Sequence, residues 1–197
     1  MCIRDRYSLE DLKNAGYSAK QLIQAGVDAA DLLKAGFTPS ELLNAGVTPK
    51  ELLAAGVTAN QLAAAGVSAS DLLKAGLSAK DLIDAGYSAS DLLKAGVSAK
   101  DLIEAGVPIT DLMKAGVSAK ELLAAGVSAK DLVKAGYSAE ALMAAGISAK
   151  ELADAGVSLA DLAKAGFTAD ELKAAGFSDS EINAVKHLLA SQACSAS

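Results

Sequence analysis

The sequence predicts an all-α fold. Seventeen ten-residue repeats, each one short two-turn helix, should stack as an α-solenoid, a superhelical rod with a longer C-terminal cap helix. Three observations carry this. A decapeptide recurs without a gap from Tyr7 to Gly176, and the chain's 17 glycines are the ones that close its copies. The sixth residue of every copy is leucine, from Leu12 to Leu172, and the residue before each glycine is alanine, from Ala15 to Ala175. The polar residues fall where the two ends of a short helix need them.

The copy Ser88-Ala-Ser-Asp-Leu-Leu-Lys-Ala-Gly-Val97 shows the logic. Ser88 stands at the N-cap, where its hydroxyl accepts from the N–H of Asp91, and the Asp91 carboxylate reaches back to the N-cap amide as a capping box. Asp91 also faces the positive end of the helix dipole, and Lys94 faces the negative end. Gly96 supplies the left-handed residue of a Schellman-type stop. Val97 then closes over Leu92 behind it and acts as a hydrophobic staple toward Leu102 ahead. The next copy repeats the set with Ser98, Asp101 and Gly106. The core of this stretch is therefore Leu92, Val97 and Leu102, and its helix caps are Ser88, Asp91, Gly96, Ser98, Asp101 and Gly106.

Leu and Val also recur every five residues, so a pentapeptide β-solenoid is the competing fold. It fails at the position two before the invariant leucine, where Lys20, Ser40, Lys100 and Lys130 stand. A lysine there could not be buried without a partner. Glycine on every face would also weaken strands. On a helical wheel the Ala after Ser, the two Leu and the Ala before Gly share an arc of roughly 160°. Isolated helices below about 12 residues are marginal in water, so the stability has to come from stacking.

Taken in order, residues 1–6 (Met-Cys-Ile-Arg-Asp-Arg) break the pattern and read as a non-native, adapter-like leader, with the natural protein extending further upstream. Residues 7–176 are the solenoid. Its third apolar position varies through Leu33, Ile83, Met113, Val133 and Ala153. That position turns polar at both ends, as Lys13 and Lys173, which is expected where terminal repeats lack a neighbour. The invariant Ala before Gly points to a close neighbouring helix. After each glycine stands a core residue such as Tyr17, Phe37, Leu77 or Phe167.

Pro39 and Pro49 fall at the first helical position, where a missing N–H does no harm. Pro108 is an irregularity, because proline replaces the capping hydroxyl at a cost of about 1 kcal/mol. Asp28 caps in place of Ser. Between Asp71 and Ala105, Asp-Leu-Leu-Lys alternates with Asp-Leu-Ile-Asp or Asp-Leu-Ile-Glu. Such alternation fits either a 20-residue structural unit or a duplicated two-repeat block. Residues 177–190 begin like another copy, but Lys186 replaces glycine and the helix runs on as the C-terminal cap. Residues 191–197 read as a disordered tail.

The remaining chemistry is sparse. A net charge of −6 with no basic stripe argues against nucleic acid. No apolar run is long enough for a membrane span in this segment. One histidine, His187, and two distant cysteines, Cys2 and Cys194, offer no soft-metal site. The acidic residues come one per repeat and are matched by lysines, unlike a calcium loop. Glycine never clusters to cradle phosphate, and the serines are spaced as caps with no base beside them. The expectation is no enzyme, no cofactor, no small-molecule ligand and no catalytic residue.

The repeat, in its consensus form Ser-Ala-Lys-Asp-Leu-Leu-Lys-Ala-Gly-Val, resembles the decapeptide array of the IcmE/DotG family, core components of the Dot/Icm type IVB secretion apparatus. The resemblance covers Tyr7 to about Ile182. In that family an inner-membrane helix precedes the repeats and a TrbI-like domain follows them; neither is seen in this sequence. The resemblance implies a periplasmic, cell-envelope spacer or scaffold segment whose partners are secretion-apparatus subunits or further copies of itself. The alternative is a stand-alone solenoid module for protein–protein interaction.

Overall fold

Every ten residues the chain has one helix start signal, one glycine and room for fewer than two full turns between them, so it can only fold as a series of short helices. A computed structural model, which describes residues 7–193 with side chains as far as residue 189, has that form. Among the described residues there are nineteen helices and no strand. The leader at 1–6 and the last four residues of the tail lie outside the described residues.

The chain divides into two units, 1–97 and 98–197. The first holds α1 (Leu9–Asn14), α2 (Ala19–Gln24), α3 (Ala29–Lys34), α4 (Pro39–Asn44), α5 (Pro49–Ala54), α6 (Ala59–Ala64), α7 (Ala69–Lys74), α8 (Ala79–Asp84) and α9 (Ala89–Lys94). The second holds α10 (Ala99–Glu104), α11 (Ile109–Lys114), α12 (Ala119–Ala124), α13 (Ala129–Ala135), α14 (Ala139–Ala144), α15 (Ala149–Asp154), α16 (Leu159–Ala165), α17 (Ala169–Ala174), α18 (Asp179–Ala184) and α19 (Lys186–Ala193).

Within each unit the packing rule is a step of two. In the first, α2 packs on α4, α3 on α5, and so on to α7 on α9; in the second, α10 packs on α12 and the series runs to α15 on α17. Odd and even helices thus form two columns, with two helices per layer, and each unit is a stretch of α-solenoid. The alternation between Asp71 and Ala105 has this structural counterpart, since helices stacked within one column are twenty residues apart.

Depth follows the repeat. The invariant leucine is fully buried in every copy from Leu32 to Leu172, and each such side chain stabilises by about 1.5–3 kcal/mol. The apolar arc is shallower than the wheel implies. The next position, from Ile23 to Ala153, is only half-buried, and so is the alanine before glycine in most copies. Ala15 and Ala25 are exposed, and only Ala165 is buried. Short helices joined by tight corners leave their last turn at the edge of the layer.

The C-terminal cap comes in two pieces, where the sequence reads as one helix running on to about Ala190. Chain reversal in the repeats needs a left-handed residue, and Lys186 stands where the glycine would be. Val185 adopts φ −106°, ψ 8° instead, and the Leu188 N–H donates to the Val185 carbonyl at 2.9 Å. The chain bends and starts α19 at once. At eight residues α19 outlasts the repeat helices, continues through Ala193 into the segment read as tail, and packs against α16 and α18.

Candidate interaction surfaces: corners and ends

Each repeat ends in the same corner. At Gly96 (φ +94°) the backbone enters the left-handed region that L side chains avoid. The Gly96 N–H donates to Leu93 and the Val97 N–H to Leu92, both at 3.0 Å, which are the two hydrogen bonds of a Schellman stop. Gly106 (φ +92°) and the bonds from Gly106 and Val107 repeat this one copy later. A Cβ built on Gly96 or Gly106 meets nothing within 4 Å, so glycine stands there for its backbone alone. Leu92 and Leu102 are fully buried, and Val97 is half-buried.

The helix starts are equally regular. The Asp91 N–H donates to Ser88 Oγ at 3.1 Å, while the Ser88 N–H and hydroxyl donate to Asp91 Oδ2 at 3.3 and 2.7 Å. The Ser88 hydroxyl, then its backbone N–H, hold the Asp91 carboxyl below the ordinary range. At Glu121, Glu151 and Glu171 the N-cap backbone N–H is the larger cause and the hydroxyl the smaller, with the same direction. Ser98 and Asp101 form part of a box: the Asp101 N–H donates to Ser98 Oγ and that hydroxyl returns to Asp101 Oδ2 at 2.7 Å.

Two helix starts lack a side-chain cap, Pro108 as the sequence predicts and Asp28 against it. Asp28 has N-cap backbone angles but its carboxylate makes no cap hydrogen bond. The working caps are uncharged hydroxyls that accept from the third helical N–H, most of them with an acidic residue at that third position. Asp28 is itself an anion, and the third residue of its helix is the anion Asp31, so a box there would bring two like charges together. Pro108 also lacks a side-chain cap, yet the Asp111 N–H is not orphaned, for it donates to the Pro108 carbonyl at 3.0 Å. That bond offsets part of the lost cap, and α11 is as long as its neighbours.

The sequence reading missed one set of contacts. Tyr87 and Tyr137 follow their glycines, and their hydroxyls donate to the main-chain carbonyls of Val67 and Val117, the corners twenty residues earlier. Burial, ahead of nearby carboxylates, pushes both phenols above their usual range. The only signal was the scatter of Tyr among Val at that position, which hydropathy alone does not separate.

Each unit has a cleft near its terminal repeats. In the first unit it is roughly 450 Å³, lined by Lys13, Tyr17, Lys20, Phe37 and Glu41. Lys13 Nζ donates to the Gly36 carbonyl and lies 5.2 Å from the centroid of the Phe37 ring. In the second it is roughly 520 Å³, lined by Phe167, Lys173, Asp179, Ile182, Lys186 and Leu189. Lys173 Nζ meets Asp179 Oδ1 at 2.6 Å. His187 is exposed on α19.

Among the described residues every buried residue is apolar, no group of His, Cys, Asp or Glu is placed to hold a metal ion, and no helix is long and apolar enough to cross a membrane. What the described surfaces offer is main-chain carbonyls at corners and short clefts lined by aromatic, aliphatic and charged side chains.

A family model described as a decapeptide repeat region matches residues 4–69, 46–119, 66–138 and 109–179. No curated protein and no solved structure matches the chain. The matched stretches overlap and together cover most of the 197 residues, and the chain belongs to this decapeptide repeat family.

Proposed function

We propose that this repeat scaffold serves as a structural spacer in a bacterial envelope-spanning type IV secretion core protein of the IcmE/DotG kind, placed in the periplasm. The observation that carries the reading is the step-of-two packing within each unit. Helices two apart pack in the same way down each unit, around the same buried leucine, so a spacer of this kind changes length in ten-residue steps without a new design. The partners in this reading are apparatus subunits or further copies of the chain. No catalytic role is assigned; the N-cap serines are engaged as caps, as Ser88 is with Asp91.

Recovery of the genomic locus tests the reading. The expected result is a continuous frame with a membrane helix upstream and a TrbI-like domain downstream. A complete short frame with neither would overturn it and leave a stand-alone interaction module.

A further inference from the structure

Tyr87 and Tyr137 define what a tyrosine after the corner does in this fold. Each reaches back across one layer and donates its hydroxyl to the valine carbonyl of the corner twenty residues earlier. Tyr7 and Tyr17 occupy the same place in the repeat. They are 61% and 43% exposed, the two exposed large hydrophobic side chains among the described residues. Both belong to the first layer, so their acceptors by this register would lie ahead of Tyr7.

The sequence offers an objection, since Lys13 at the third apolar position looks like a surface residue of a closed end. The structure removes it. Lys13 turns into the array, giving its ammonium to the Gly36 carbonyl and the face of Phe37. Its charge is spent on the layer that follows and does not mark a solvated end. The C-terminal end is different, for there α19 leaves the repeat pattern and covers α16.

We propose that the α1–α2 face is a docking surface for a further pair of decapeptide repeats, stacked in the same polarity and continuous with Tyr7, whose corners offer main-chain carbonyls to Tyr7 and Tyr17. A second copy is a poorer occupant. Its C-terminal end closes with α18 and α19, which carry no Gly corner in register with these hydroxyls. The inference goes beyond the spacer reading and holds whether or not the protein belongs to a secretion apparatus.

The test replaces residues 1–6 with a graft of the chain's own residues 57–76. This sets Tyr17 against the grafted copy of Val67, the acceptor that Tyr87 uses. A second graft of residues 107–126 sets it against the copy of Val117. Nitration by tetranitromethane, mapped by mass spectrometry, reads each tyrosine. In the ungrafted chain Tyr17 should react fast and Tyr87 slowly. In either graft Tyr17 should slow to the rate of Tyr87, and helical circular dichroism should rise by two repeats.

A companion graft of residues 57–76 with Gly66→Val and Gly76→Val should leave Tyr17 reactive. The proposal is overturned if Tyr17 stays fast in both native grafts, or if the corner-broken graft protects it equally, which is generic shielding. It is also overturned if raising the concentration of the ungrafted chain protects Tyr17, which would give the face to a second copy.

Discussion

The two ends of the array are built from the same repeat and finish differently. At the first, Leu12 is buried but Tyr7, Ala15, Tyr17 and Ala25 are exposed. At the second, Phe167, Ala163, Ala165 and Ile182 are all buried, and Lys173 is paired with Asp179. The difference comes from the glycine position. A repeat that keeps its glycine turns back and presents a fresh face to the next layer. A repeat that loses it, as at Lys186, cannot turn back, and α19 lies down on α16. A decapeptide solenoid therefore propagates by obeying its rule and stops by breaking it once.

The sharpest way to break that comparison is to truncate each end by what finishes it. Removing residues 177 onward strips Ile182 and Leu189 from beside Phe167, and burial of that ring alone stabilises by about 1.5–3 kcal/mol. At about 2–4 °C per kcal/mol for a chain of this size, Tm should fall by roughly 3–12 °C. Removing residues 1–16 gives up Leu12 but also releases the backbone entropy of a half-covered repeat. That loss should stay within about 1 kcal/mol. Equal losses in thermal unfolding by circular dichroism would mean that the C-terminal helices do not close the array.

Most of this was legible because it is local. Ser88, Asp91 and Gly96 meet within one decapeptide, and their roles follow from offsets of three and five residues. The harder features require knowledge of which helices touch. Lys13 reads as a terminal surface residue until the Gly36 carbonyl and Phe37 ring, more than two repeats on, are placed beside it. The tyrosine contacts span twenty residues and depend on the step-of-two packing, which the alternation after Asp71 hinted at without settling. Asp28 was misread for a chemical reason: side-chain oxygens rank alike as caps, but a carboxylate at the N-cap faces the like charge of Asp31 at the third helical position. The break at Val185 was missed because losing a glycine removes the turn without saying whether the helix continues or bends.

A smaller effect isolates the hydroxyl contact. Tyr87→Phe keeps the ring and removes the donor to the Val67 carbonyl, which should cost about 0.5–1.5 kcal/mol. Tyr17→Phe, at the open end, should cost nothing measurable by chemical denaturation. If the two substitutions behave alike, the latch is not a stabilising contact, and the exposed tyrosines lose their meaning as open positions.

The gentlest probe is acid, and it again separates the ends. Glu171 and Glu181 carry the boxes of α17 and α18, and hydrogen bonds from Thr168 and Ser178 hold both carboxyls below the ordinary range. A carboxyl whose folded value is depressed adds stability that is fully present above the unfolded carboxylate range and disappears as pH falls through the folded value. These two boxes should therefore loosen below the ordinary carboxylate range. In α2 the same box is made by Ser18 with Gln21, whose amide oxygen accepts from the Ser18 N–H at 2.9 Å and does not titrate. Hydrogen exchange across this range, corrected for the intrinsic pH dependence, should show falling protection at the Thr168 and Ser178 amides, which donate to those carboxylates, and little change at the Ser18 amide. Parallel loss at all three would show that acid acts through the array as a whole, and the carboxylates at the closed end would have no separate part in holding it shut.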